Sequence, residues 1–133
     1  MYSDRFFKEN DALKEFMTLC IECGMIPEVS SFRGSNELIL SGLGISIGVK
    51  ISNDPVCLKI SFIKILSKTI YSMQHYFEAT NLILSKLIDC AKKYNIVLGT
   101  WVYEDDLFMY INLGFKIIEK SDKYWLEYYQ LLN

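Results

Sequence analysis

From Asn10 to Cys23 apolar residues recur at three- and four-residue spacing (Leu13, Phe16, Met17, Cys20, Ile21), which marks one face of an amphipathic helix. Asn10 or Asp11 is suited to cap its start and Gly24 to end it. The period then shortens to two. Glu37–Leu40, Ile45–Ile51 with Gly48 inside it, and Val56–Leu66 read as strands of an antiparallel meander, separated by Gly42-Leu43-Gly44 and by Asn53-Asp54-Pro55. In the last run Leu58, Ile60, Phe62 and Ile65 alternate with Lys59, Ser61 and Lys64.

The helical period returns from about Ser72 to Tyr94, where Ala79, Ile83, Leu87 and Ala91 form a stripe that Leu84 and Ile88 widen. Ile96–Val102 is a short apolar run and reads as a buried strand. Glu104-Asp105-Asp106 then suits the positive end of a short helix running to Leu113, with Gly114 as its left-handed C-terminal residue. Phe115–Ile118 and Tyr124–Tyr129 are two strands around the polar turn Lys120-Ser121-Asp122-Lys123. The order is helix, three strands, long helix, strand, short helix, strand, strand, an α+β domain with a mixed, mostly antiparallel sheet flanked by helices.

Composition narrows the function classes. The 133 residues suit a single domain spanning 1–133, and 51% apolar content is enough for a core and too much for a disordered chain. Fourteen basic against sixteen acidic residues, with no Lys/Arg run, exclude sequence-independent nucleic-acid binding. No stretch has the 18 or so uninterrupted apolar residues of a membrane helix, and Met1–Lys8 lacks the apolar core of a signal peptide. Cys20, Cys23, Cys57 and Cys90 lie in apolar segments, which fits free thiols in a reduced, cytoplasmic setting. The Cys20-x-x-Cys23 pair sits inside a helix with no second pair to complete four zinc ligands, and reads as core.

The element order, together with Tyr110-Ile111-Asn112-Leu113-Gly114-Phe115-Lys116-Ile117-Ile118, resembles the GNAT superfamily of acyl-coenzyme A-dependent N-acetyltransferases. Members carry a Tyr on the short fourth helix, four residues before a Gly-Phe pair that opens the next strand. Glu37–Ser52 is similar to the family's second and third strands, with Gly48 where the third often has a glycine. The resemblance implies transfer of an acetyl group from acetyl-coenzyme A to an amine, on a small molecule or a protein. It implies Tyr110 as the catalytic acid that protonates the departing thiolate. It also implies a cofactor site drawn from Ile63 and Ile65 on the strand and His75, Tyr76, Glu78 and Thr80 at the start of the long helix, with Tyr103 where members often have an Asn seven residues before the Tyr.

Chemistry sets the demands on these residues. A diphosphate needs backbone N–H groups at a helix N-terminus, and a thioester carbonyl needs a donor where its oxyanion develops. A phenol near pKa 10 protonating a thiolate near 8.5 is uphill by about 2 kcal/mol, which an oriented hydrogen bond covers. In the family the amide nest is Arg/Gln-x-x-Gly-x-Gly/Ala. Here it falls on His75-Tyr76-Phe77-Glu78-Ala79-Thr80, with Glu78 and Thr80 in the glycine places. A carboxylate about 4 Å from a diphosphate charge costs about 4 kcal/mol at an effective dielectric of 20, so Glu78 is expected to oppose the cofactor unless it turns away. Asp106 stands where members often have Ala, four residues before Tyr110.

Other residues carry candidate chemistry. Glu37, at a strand start, and the acids Glu104, Asp105 and Asp106 are possible bases for an amine. Tyr124, Trp125, Tyr128 and Tyr129 put aromatics on both faces of the last strand. On an uncovered edge, one of these faces is a surface for a homodimer or a protein partner. The alternative function is therefore an inactive binding module on the same fold.

Overall fold

The structure is a computed structural model that describes residues 4–32, 35–53, 56–66 and 73–129. Among the described residues three helices and seven strands follow one another as α1 (Asp4–Glu22), β1 (Ile26–Phe32), β2 (Ser35–Gly42), β3 (Ile45–Asn53), β4 (Val56–Ile65), α2 (Met73–Tyr94), β5 (Leu98–Val102), α3 (Glu104–Asn112), β6 (Lys116–Lys120) and β7 (Tyr124–Tyr128). The fold is α+β.

The strands form one sheet in the order β1-β2-β3-β4-β5-β7-β6. Every neighbouring pair is antiparallel except β4 and β5, which α2 connects as a crossover. α1 and α2 pack together on one face of the sheet. Ala12, Phe16 and Cys20 of α1 and Ile83, Leu84 and Leu87 of α2 bury there against Leu40, Ile47, Val49, Leu58, Ile60 and Leu98. The i, i+4 spacing of these helical positions is what turns a single stripe of each helix onto the sheet.

All three helices end in the same way. Gly24, Asn95 and Gly114 have positive φ, and the residue after each returns its N–H to the carbonyl five positions back: Met25 to Cys20 at 3.0 Å, Ile96 to Ala91 at 3.0 Å and Phe115 to Tyr110 at 3.1 Å. This is the Schellman motif, which satisfies carbonyls the helix itself leaves free.

Three expectations change. β1 is a strand that the sequence reading lacks, so four strands rather than three precede the long helix. It is the sheet edge and holds on through main-chain pairing with β2, leaving Ile26 and Val29 about seven-tenths exposed; an edge strand of this kind has no core-facing alternation to read. α1 begins at Asp4, which places Asn10 and Asp11 inside the helix rather than at its cap. In β4 the register slips opposite Gly48 and Val49, and this bulge turns Phe62 onto the face opposite Ile60, bringing Ile63 and Ile65 onto the helix side. Asp54, Pro55 and Ser72 lie outside the described residues.

β7 lies inside the sheet, between β5 and β6, so the expected aromatic edge is not an edge. Trp125 is 6% exposed and packs against Gly99, with its ring centroid 5.3 Å from that of Trp101. Its Nε1–H donates to Glu127 Oε2 at 2.8 Å. The edge on this side of the sheet is β6, whose five residues are all exposed.

Candidate active site

β4 and β5 run side by side only from Leu58 against Leu98 to Ile60 against Thr100. At that last pair Thr100 Oγ1 donates to the Ile60 carbonyl at 3.1 Å. Beyond it the strands part. β5 follows β7, pairing Trp101 with Trp125 and Val102 with Tyr124, while β4 continues to Ile65 against β3 alone. The β4 edge from Ser61 to Ile65 is therefore left without a strand beside it among the described residues.

The gap is a cleft of about 230 Å³ lined by Ile63, Lys64 and Ile65 of β4, Met73 and Tyr76 of α2, and Asp106 of α3. Its walls are mostly hydrocarbon, with one half-buried carboxylate. Asp106 is held above the ordinary carboxylate range by burial first and by the neighbouring Asp105 second. Lys64 sits at the rim with its ammonium 5.4 Å from the centre of the Phe62 ring.

Tyr110 lies behind this lining, 4% exposed. Burial pushes its phenol well above the ordinary tyrosine value, and the electrostatic influence of Tyr76 and Asp106 adds to that; the Thr100 hydroxyl beside it acts the other way. Tyr76 is raised too, by burial and then by Asp106. Thr100, Tyr76, Asp106 and Tyr110 thus form one polar group at the point where the strands separate.

The residues expected from the sequence divide into two sets. Ile63, Ile65 and Tyr76 line the cleft, and Tyr110 lies behind it beside Tyr76 and Asp106. The others do not line it. His75 donates from Nε2 to the Leu43 carbonyl in the β2–β3 turn at 2.8 Å, which ties the start of α2 to that turn. Glu78 is exposed and accepts from Gln74 Nε2 at 3.0 Å, so its charge faces solvent. Thr80 is fully buried in the core, and its hydroxyl approaches the Tyr76 phenol without completing a hydrogen bond. Tyr103 stands outside the cleft as the N-cap residue of α3, 61% exposed, with the Lys123 ammonium 5.3 Å from its ring centre.

Of the three acids Glu104, Asp105 and Asp106, it is Asp106 that reaches the cleft. The available signal is its spacing: Asp106 and Tyr110 stand four apart on a helix and so share a face, whereas Glu104 and Asp105 are exposed. Glu37 lies on the other face of the sheet, where its Oε1 would be 2.7 Å from a Cβ added at Gly48. Cys20 and Cys90 are buried, and burial pushes their thiols up to about 12 and about 11, away from the thiolate that zinc or redox chemistry requires. Among the described residues no group of three or more His, Cys, Asp or Glu is placed to hold a metal ion, and no helix is long and apolar enough to cross a membrane.

The motif behind the GNAT resemblance has a local cause. In the Schellman ending of α3, Tyr110 supplies the carbonyl, Gly114 at φ +105° is the left-handed residue, and Phe115 supplies the returning N–H. The Tyr110 and Phe115 rings then meet edge to face with centroids 5.2 Å apart, the apolar contact usual in this motif. Tyr-x-x-x-Gly-Phe is therefore the spelling of a helix stop as well as a placement of a phenol.

No protein-family model, curated protein or solved structure matches the chain.

Proposed function

We propose that the chain is an N-acetyltransferase of GNAT type, in which the parted strands β4 and β5 receive acetyl-coenzyme A and Tyr110 donates a proton to the leaving thiolate. The observation that carries this reading is the unpaired β4 edge opening onto a cleft with a buried phenol at its back. An extended chain with amide groups, such as the pantetheine arm of coenzyme A, is matched to such an edge, because main-chain N–H and C=O groups there stand free to pair with it. Glu78 does not obstruct this fit, since its carboxylate points to solvent beside Gln74. The first turn of α2 carries no acid, so its free N–H groups suit an anion.

The roles follow from placement. Ile63 and Ile65 exclude water from the reacting group, and Met73 and Tyr76 close the helix side. When bound, the cofactor supplies an activated acyl group. Tyr110 holds a proton at its phenol oxygen across the neutral range, because burial disfavours the phenolate; the same burial makes transfer to a thiolate more uphill than from a free phenol, so the role rests on an oriented hydrogen bond to the leaving sulfur. The amine substrate, its identity, and a cytoplasmic location belong to the same proposal.

Calorimetric titration with acetyl-coenzyme A tests the reading. Saturable heat is expected, and a ligand at 100 times its dissociation constant adds about 2.7 kcal/mol of stability. Glu78→Gln is expected to leave the affinity within about twofold, since a solvent-facing charge is screened. No heat and no thermal shift at millimolar cofactor overturns it. The second reading, a binding module on the same fold, is favoured by β6: an edge strand with Ile117 and Ile118 about half exposed offers its main chain to a protein partner or a second copy.

A further inference from the structure

We propose that β6 pairs antiparallel with β6 of a second copy of the chain about a two-fold axis, with Lys116 opposite Glu119 and Ile117 opposite Ile118, so that two sheets become one. The inference rests on the edge-strand observation behind the binding-module reading and gives that edge one occupant. It does not depend on acyl transfer.

Three features of β6 lead to it. The first is an apolar edge without a proline. All five residues are exposed, and Ile117 and Ile118 are each about half exposed at its centre. The opposite edge of the sheet differs, because β1 carries Pro27, which has no N–H to offer a further strand.

The second feature is the bulge at Ile118. Pairing with β7 passes from Ile117 against Leu126 to Glu119 against Trp125, so Ile118 is left without a partner there. Lys116 stands opposite Glu127 and Glu119 opposite Trp125, two residues apart on β7, which puts Lys116 and Glu119 on one face. In a regular strand residues three apart lie on opposite faces. A two-fold axis normal to the sheet sets two edges antiparallel and keeps each face on its own side, so only residues of one face can stand opposite each other. The bulge is what lets Lys116 meet Glu119 of the second copy.

The third feature is charge. A two-fold axis between Ile117 and Ile118 makes two Lys–Glu pairs flank two Ile–Ile pairs, each a favourable cross-strand match. Moving the axis between Ile118 and Glu119 would set Ile117 against Lys120 and Ile118 against Glu119, and would leave every charge unmatched. Among the described residues neither Lys116 nor Glu119 has an ion-pair partner in its own chain, and the Lys116 ammonium rests 5.2 Å from the centre of the Tyr129 ring. Flanking lysines discourage an edge from pairing indiscriminately, and here they admit one register.

Two five-residue edges bury less than the roughly 1,000 Å² of a tight interface, so a reversible dimer with a Kd of about 10–100 μM is expected. Sedimentation equilibrium of the full chain across the micromolar to millimolar range tests it. Lys116→Glu would place glutamates opposite each other, and Glu119→Lys would place lysines; each is expected to weaken self-association about tenfold or more. Mixed together, these two variants should form a heterodimer of near-parent affinity, because every flanking pair is again of unlike charge. Amide exchange in β6 should slow as the chain concentration rises. A chain that stays monomeric through the range, single variants that associate like the parent, or a mixture that does not associate overturns the proposal. Exchange in β6 that is independent of concentration excludes the second copy while leaving the edge open to another protein, so the dimer and the binding-module reading fail separately.

Discussion

Tyr110 and Phe115 are joined twice, through a main-chain hydrogen bond of 3.1 Å from the Phe115 N–H to the Tyr110 carbonyl and through an edge-to-face ring contact at 5.2 Å. Phe115 is 2% exposed and its ring also reaches Tyr128 at 5.7 Å. Phe115→Ala is therefore expected to cost about 3–5 kcal/mol, as for other buried aromatic truncations. Tyr110→Phe keeps both the main-chain bond and the ring, and should cost about 1 kcal/mol or less. Denaturant melts of the two variants check the contrast. Equal losses would show that the phenol oxygen, and not the ring, holds the α3 end in place.

That contrast makes Tyr110→Phe a clean probe of chemistry. If the phenol is the proton donor, thiol release from acetyl-coenzyme A should fall at least tenfold in the variant while cofactor affinity stays near that of the parent chain. Its pH dependence has a definite sign. The folded phenol titrates above its ordinary value, so it stays protonated through the range in which the chain is assayed, and no alkaline loss of rate below about pH 10 belongs to it. A basic limb that persists in Tyr110→Phe comes from another group. One that vanishes in it contradicts the burial seen here.

Much of this arrangement can be read from residue spacing, and the part that cannot has a physical reason. The Ala12-Phe16-Cys20 and Ile83-Leu87 rows turn onto the core because helical period is local, and Gly24 and Gly114 announce their helix ends for the same reason. β1 is not legible because its pairing with β2 is made by main chain, while Ile26 and Val29 face solvent. The parting of β4 and β5 is set by where β5 leaves Ile60 for Trp125, a choice among strands distant in sequence. Phe62 lies on the face opposite Ile60 because a one-residue bulge opposite Gly48 and Val49 breaks the alternation there, while Ile65 keeps the side its spacing indicates. Asp106 reads as one of three helix-start acids until α3 is laid against α2, and only then does it face Tyr76.

Gly99 shows how closely the second face of the sheet is packed. A Cβ placed there would lie 2.5 Å from Cη2 and Cζ2 of Trp125 and 3.1 Å from the Cys57 Sγ. Trp125 is pinned by its hydrogen bond to Glu127 and by the Trp101 ring, so it has little room to yield. Gly99→Ala is expected to destabilise by about 1–3 kcal/mol through overpacking. The loss should appear together with a change in tryptophan fluorescence, because the indole must lift off the sheet. A melt within experimental error of the parent would mean that the Trp125 ring is freer than its contacts indicate.

Asp106 gives a prediction in which the sign decides the case. Its folded pKa lies above the unfolded carboxylate value of about 3.9, through burial and then Asp105. Between those two values the folded chain binds more protons than the unfolded one, so stability falls as pH rises through that window and stays lowered above it. Replacing the carboxylate by an amide removes that loss. Asp106→Asn should therefore melt higher than the parent at pH 7, with the difference shrinking as the pH is lowered through that window and gone below about 3, where the parent's Asp106 is protonated in both states. Asp105→Asn should give a smaller gain of the same sign, since it removes only the second cause. Thermal melts of the three chains across this range measure it. A difference between Asp106→Asn and the parent that does not change with pH would trace to packing of the amide, and would remove the buried charge from the cleft.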